Sequence, residues 1–148
     1  MRAVVQRVKS ATLKVNEKLI SQINEGLLVF LGVGLNDTEK DALYFVDKLP
    51  KLRLFDDEKG LTNKSIQEVG GEFLLVSNFT LYGNTKGTNR PDFCHAAGKD
   101  LALKLYELVA QKLNEKVPTK LGVFGADMQI ETHLNGPFTI IMDSTHSI

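Results

Sequence analysis

Ser77, Asn78 and Thr80 place two hydroxyls and a carboxamide directly after the apolar run Phe73-Leu74-Leu75-Val76. A buried strand that ends in polar residues puts them at the rim of a sheet. Backbone N–H groups at such a strand end can hold an oxyanion. The same hydroxyls equally suit an ordinary strand end, where they satisfy nearby backbone groups. A hydroxyl nucleophile needs a base, and no histidine or lysine is paired with Thr80 by spacing.

A second constellation is Asn135-Gly136-Pro137, set between two strand-like runs near the C-terminus. Pro137 fixes its own φ and has no N–H to donate, and an X–Pro bond can be cis at modest cost. Such a turn presents two bare carbonyl oxygens and almost no side chain, which suits the sensing of a small chiral centre. It also suits a simple chain reversal. Lys86, Arg90 and Lys99 lie in or near a loop rich in Gly, Asn and Thr, where they can meet phosphate or simply be solvated. Phe124 and Met128 flank Gly125-Ala126-Asp127. A ring and a thioether beside a glycine turn can sandwich a flat base or serve as core.

Other chemistries are poorly served. Gly32-Val33-Gly34 hints at a dinucleotide loop, but Asp37 stands where the third glycine belongs. No Gly-Lys-Ser/Thr phosphate loop is present. His95, His133 and His146 form no i, i+4 pair, and Cys94 is the only cysteine. No metal and no cofactor are therefore expected. One cysteine excludes an internal disulfide and fits the cytoplasm. The longest apolar run, Leu27 to Leu31, cannot span a membrane, and the charged N-terminus is no signal peptide. Eighteen basic residues balance eighteen acidic ones. Such neutrality argues against gripping long nucleic acid, DNA included, but leaves room for the tip of an RNA.

These residues need a scaffold. At 148 residues the chain suits one domain, spanning 1–148, with a sizeable core. Ala3 to Val8, Ala11 to Val15 and Leu19 to Ile23 read as strands, with Asn16-Glu17-Lys18 as a turn. Gly26 to Gly32 is a short continuous apolar run of the buried-strand type. Asp37 or Thr38 caps a helix to about Leu49, with Pro50 beyond it. Leu52 to Phe55 and Phe73 to Val76 are strands, the second continued by Ser77 to Tyr82. Gly83 to Arg90 is a loop. A second helix runs from about Lys99 to Asn114, with Leu101, Leu105, Leu108, Val109 and Leu113 on one face. Met128 to Leu134 and Phe138 to Met142 are the last two strands. Close succession of strands favours antiparallel hairpins in an α/β domain with two main helices.

Taken together and in order, these segments resemble the D-aminoacyl-tRNA deacylase family. The likeness runs through Met1 to Val8, Gly26 to Val29, Leu52 to Phe55, Val69 to Glu72 and Ser77 to Tyr82. It continues through Asn89 to Phe93, Phe124 to Gln129, Asn135 to Pro137 and Asp143-Ser144. Only Thr145 to Ile148 overhang. The resemblance implies a three-layer β/β/α fold, with mostly antiparallel strands. It also implies a homodimer with active sites at the subunit interface, and hydrolysis of the ester between a D-amino acid and the tRNA 3′ end. It implies that Gly136 and Pro137, cis and reaching into the partner's pocket, form a chirality filter. Ser77, Asn78, Phe79 and Thr80 would line the reaction centre. Phe124 and Met128 would seat the terminal adenosine, with Lys86 and Arg90 near the tRNA. Glycyl-tRNA would also be cleaved, and the ribose 2′-hydroxyl would assist. Two departures stand out: Asn78 replaces the family's glutamine, and the 83–91 loop is less basic. A noncatalytic RNA-end or protein-binding module and a hydrolase of small esters or peptides using Thr80 are the competing readings.

Overall fold

The computed structural model describes residues 1–146; Ser147 and Ile148, part of the overhang, lie outside the described residues. The first strand is longer than its sequence suggests. β1 (Arg2–Val15) runs unbroken through Lys9-Ser10, because one neighbour changes along its length while the other does not. Its first half pairs with β3 (Gly26–Gly32) and its second half with β2 (Lys18–Ile23), both antiparallel. β8 (Gln129–Asp143) follows its other edge almost end to end. Asn16 and Glu17 turn the chain between β1 and β2 at positive φ, 49° and 64°.

β6 (Glu72–Ser77) lies parallel to β3, and β7 (Thr119–Leu121) parallel to β6. The six-stranded sheet is therefore mostly antiparallel, with two parallel steps inside it. β4 (Arg53–Asp56) and β5 (Thr62–Ser65) make a separate hairpin. Gly26 starts the parallel step, and a Cβ there would sit 1.9 Å from the Glu72 carbonyl oxygen. Only glycine lets the two backbones approach so closely.

α1 (Glu39–Lys48) and α2 (Lys99–Asn114) pack on one face of this sheet. Phe45, Val46, Leu105, Val109 and Leu113 meet Ala3, Val5, Leu27, Val29 and Leu31 there. The opposite face curls around a second cluster of Val8, Leu13, Ile23, Leu28, Leu74 and Val76. Alternation along β3 explains the division: odd positions face the helices and even positions face the second cluster. Thr38 caps α1, with its N–H donating to the Asp41 carboxylate at 2.8 Å.

Two expectations need correction. Ser77 to Tyr82 does not continue β6: the strand stops at Ser77, and Phe79–Tyr82 is a turn of 3₁₀ helix. Asn78 causes the stop, since its side-chain oxygen accepts the Thr80 N–H that a strand ladder would use. The last two strands are one strand. β8 passes through Gly136-Pro137, whose peptide bond is cis. Pairing moves from Val8↔Leu134 to Gln6↔Thr139, so residues 135–138 bulge outward opposite Arg7.

Candidate active site

Because β3 and β6 run parallel, their C-terminal ends emerge at the same edge. Leu31 pairs with Ser77, and the Asn78 N–H donates to the Leu31 carbonyl at 2.9 Å. Beyond this edge lies a cavity of about 400 Å³, capping the second hydrophobic cluster. Ser77, Asn78, Phe79, Thr80, Phe124 and Met128 all line it. Six residues singled out from two distant stretches of sequence thus share one pocket. Phe30 and Ile130 complete its apolar floor. Gly122 lets Met128 in: a Cβ there would lie 2.8 Å from the Met128 sulfur. Behind Phe124 stands Tyr106, ring centroids 5.9 Å apart, anchored by its hydroxyl donating to the Leu75 carbonyl at 2.9 Å. Burial raises the Tyr106 pKa, so this hydroxyl stays a donor.

The hydrogen bonds at the rim decide what it can do. The Asn78 side-chain oxygen accepts both the Thr80 N–H, at 3.2 Å, and the Thr80 hydroxyl. The threonine proton is thus given to a neutral amide, which is no base. Among the described residues, the Phe79 N–H has no protein acceptor. It sits at the start of the 3₁₀ turn, where an N–H is left over by geometry. The rim therefore offers a backbone donor to an acyl oxygen but no activated nucleophile.

Other sequence-derived candidates lie elsewhere. Lys86 lines a second, polar cavity of about 570 Å³ on the far side of the 3₁₀ turn, with Arg2, Tyr82, Asn84 and His95. Arg90 lines neither cavity. Gly136 and Pro137 also lie outside the 400 Å³ cavity of their own chain. Their turn is held instead by Arg7, which sequence reasoning missed. Arg7 is 8% exposed. Its Nε donates to the Asn135 carbonyl at 3.0 Å and one terminal nitrogen to the Leu54 carbonyl at 2.7 Å. Its guanidinium lies 4.8 Å from the centre of the Phe138 ring. A charged residue in the apolar alternation of β1 was the available signal. Gly136 has φ +143°, and a Cβ there would meet the Phe138 nitrogen at 2.5 Å.

The exposed Cys94 is held as a thiol. Its thiol donates to Asp92 at 2.8 Å, and that bond, then burial and the Asp92 charge, raises its pKa. Among the described residues, no three His, Cys, Asp or Glu side chains gather to hold a metal.

Residues 4–143 match the family model described as D-Tyr-tRNA(Tyr) deacylase. The chain belongs to that family. A D-aminoacyl-tRNA deacylase of Thermosipho melanesiensis is 48% identical over 146 residues, 97% of each chain. A solved structure titled c-Myc DNA unwinding element binding protein is 38% identical with a TM-score of 0.91, covering 97% of this chain and 98% of that one. A probable eukaryotic D-amino acid tRNA deacylase is only 18% identical, but its TM-score of 0.81 over 95% and 97% of the two chains shows a shared fold. The family member described here is an enzyme, a hydrolase acting on aminoacyl-tRNA. Among the described residues, no helix is long and apolar enough to cross a membrane.

Proposed function

We propose that this deacylase cleaves D-aminoacyl-tRNA in the 400 Å³ cavity, with the protein positioning the ester and the tRNA supplying the hydroxyl that assists the attack of water. One observation carries the mechanism: the Thr80 hydroxyl is already committed to Asn78, so the rim holds a donor without a nucleophile. Terminal adenosine lies between Phe124 and Met128. The acyl oxygen accepts the Phe79 N–H, which stabilises the charge that develops when water attacks. Water oxygen bonds to the acyl carbon, the bond from that carbon to the ribose oxygen breaks, and the ribose oxygen takes up a proton. The neighbouring ribose 2′-hydroxyl is the group placed to assist that transfer. Products are the free D-amino acid and tRNA.

Chirality comes from the partner subunit. Gly136 and Pro137 stand on a bulge of an edge strand whose outward face carries Leu134 and Ile141, 40% and 66% exposed. Apolar residues so exposed suit a partner surface. In the homodimer this face packs against its copy, and the partner's Gly136 and Pro137 enter the cavity mouth. Their carbonyl oxygens bind the substrate ammonium. An L side chain then strikes main chain, which yields little, while a D side chain points outward. Glycine has nothing to clash and is cleaved. This reading places the enzyme in the cytoplasm, with translation.

The test is incubation with D-Tyr-tRNA, L-Tyr-tRNA and Gly-tRNA while ester loss is followed. Loss of the D-tyrosyl and glycyl esters, with the L ester intact, is the expected result. Glycyl-tRNA rejected as strongly as L-alanyl-tRNA would refute the steric filter. No cleavage of any ester would refute the proposal entirely.

A further inference from the structure

We propose that the strip from Phe79 to Lys86 is a second nucleotide site, which takes the unpaired nucleotides just before the terminal adenosine. The inference rests on the reading of the 400 Å³ cavity as the adenosine and ester site.

The terminal cavity creates the need. Among the described residues its only charged lining residue is Asp127, so they give it no cation for a phosphate. The strand that delivers the adenosine must be met outside it. Directly on the rim Phe79 is 55% exposed. It is held edge-to-face against Phe93, with centroids 5.0 Å apart and planes at 72°. Phe93 in turn covers the chain at Gly83, where a Cβ would approach its ring to 3.2 Å. An exposed ring whose tilt is fixed by a second ring is a face on which a single-stranded base can stack.

The polar cavity follows at once. A 3₁₀ turn rises about 2 Å per residue, so Tyr82 at its edge is about 6 Å from Phe79, one nucleotide step along the strip. The cavity carries two carboxylates, but each is matched within the fold. Asp37 is paired with the Met1 ammonium at 2.8 Å, and Asp143 with Arg2 at 3.2 Å. Lys86 has no carboxylate partner among the described residues, so its charge is open to a phosphate. Asn84 pins the loop, with its side chain donating to the Asp92 carboxylate at 3.0 Å and paired main chain beside it. A base platform and a phosphate-facing lysine thus succeed one another along one ordered strip. One or two such contacts suit a protein of zero formal net charge.

Two substrates separate the sites: D-Tyr-tRNA, and D-tyrosyl-adenosine, which lacks both the preceding nucleotides and every phosphate. The variants are Phe93→Leu, which keeps apolar volume but removes the supporting ring, and Lys86→Ala, which lies in an exposed loop. Each should raise KM for D-Tyr-tRNA about tenfold relative to KM for D-tyrosyl-adenosine, with kcat unchanged. Lys86→Ala should also lower the slope of log affinity against log salt by about 0.7. Equal shifts on both substrates, no shift on the tRNA, or an altered oligomeric state in Phe93→Leu would overturn the site. A parent enzyme that cleaves neither substrate would overturn the deacylase reading and this site with it.

Discussion

Arg7 offers the sharpest test, because its loss separates stability from chirality. Its guanidinium ties Leu54 to Asn135 and lies over Phe138, so it bridges the β4 hairpin and the bulge that carries Gly136 and Pro137. Hydrogen bonds from a charged donor are worth about 1.5–3 kcal/mol each. The contact with Asp56, at 3.4 Å and half solvated on the carboxylate side, adds little. Arg7→Met loses both carbonyl contacts but also removes a buried charge, which offsets part of the loss. About 3 kcal/mol is the expected net cost, or about 10 °C in Tm for a chain of this size. Arg7→Lys keeps the charge and one donor but not the fork, and should cost about half as much. Function should respond differently. A shift of about 1 Å in a positioned group costs up to about a hundredfold in rate. Both variants should therefore lower the ratio of D-Tyr-tRNA to L-Tyr-tRNA cleavage about tenfold or more. Thermal melts and paired deacylation rates at one temperature measure the two effects. Variants that lose stability yet keep the parental D/L ratio would refute the view that the bulge sets chirality.

Thr80→Val should change kcat by less than about threefold, whereas removal of a true nucleophile costs orders of magnitude; single-turnover deacylation of D-Tyr-tRNA decides. Asp41 supplies a pH test. Burial pushes its carboxyl up, but bonds from the Ser144 hydroxyl and from Thr38, with the Met1 ammonium nearby, hold it below the ordinary value of 3.8. A group with a depressed folded pKa stabilises above its unfolded value and loses that contribution as pH falls below it. Asp41→Asn should thus be less stable than the parent near neutrality, and the gap should close below about pH 3.8 in a series of melts.

Where local chemistry decides the structure, the sequence is readable. The apolar run of β3 and the leucine face of α2 needed no partner to be recognised. Asp37 or Thr38 announced the start of α1, and Thr38 is its cap. What escaped was set at long range. The parallel pairing of β3 with β6 depends on a close approach between Gly26 and Glu72, far apart in the chain. β5 and β7 are short, and β5 is mainly exposed, so neither shows a clear alternation. The end of β6 was misread because one amide oxygen, on Asn78, outcompetes the ladder. The pocket residues were visible as two separate clusters, and only the family resemblance, not their spacing, brought them to one site. Arg7 was hidden because its role is defined by residues 47 to 131 positions away.

The parallel step between β3 and β6 has a bearing on how this enzyme can change. It delivers two connections, 33–38 and 78–98, to the same end of the sheet, while the helices secure the strands from one side. Residues 85–91 extend from that end as an exposed excursion, closed at its neck by Asn84 and Asp92. Lengthening or recharging the excursion would leave the neck, and hence the rim proposed to hold the ester, where it is. On the proposed reading, affinity for different tRNAs can drift in evolution while the handedness of the cleaved amino acid stays fixed.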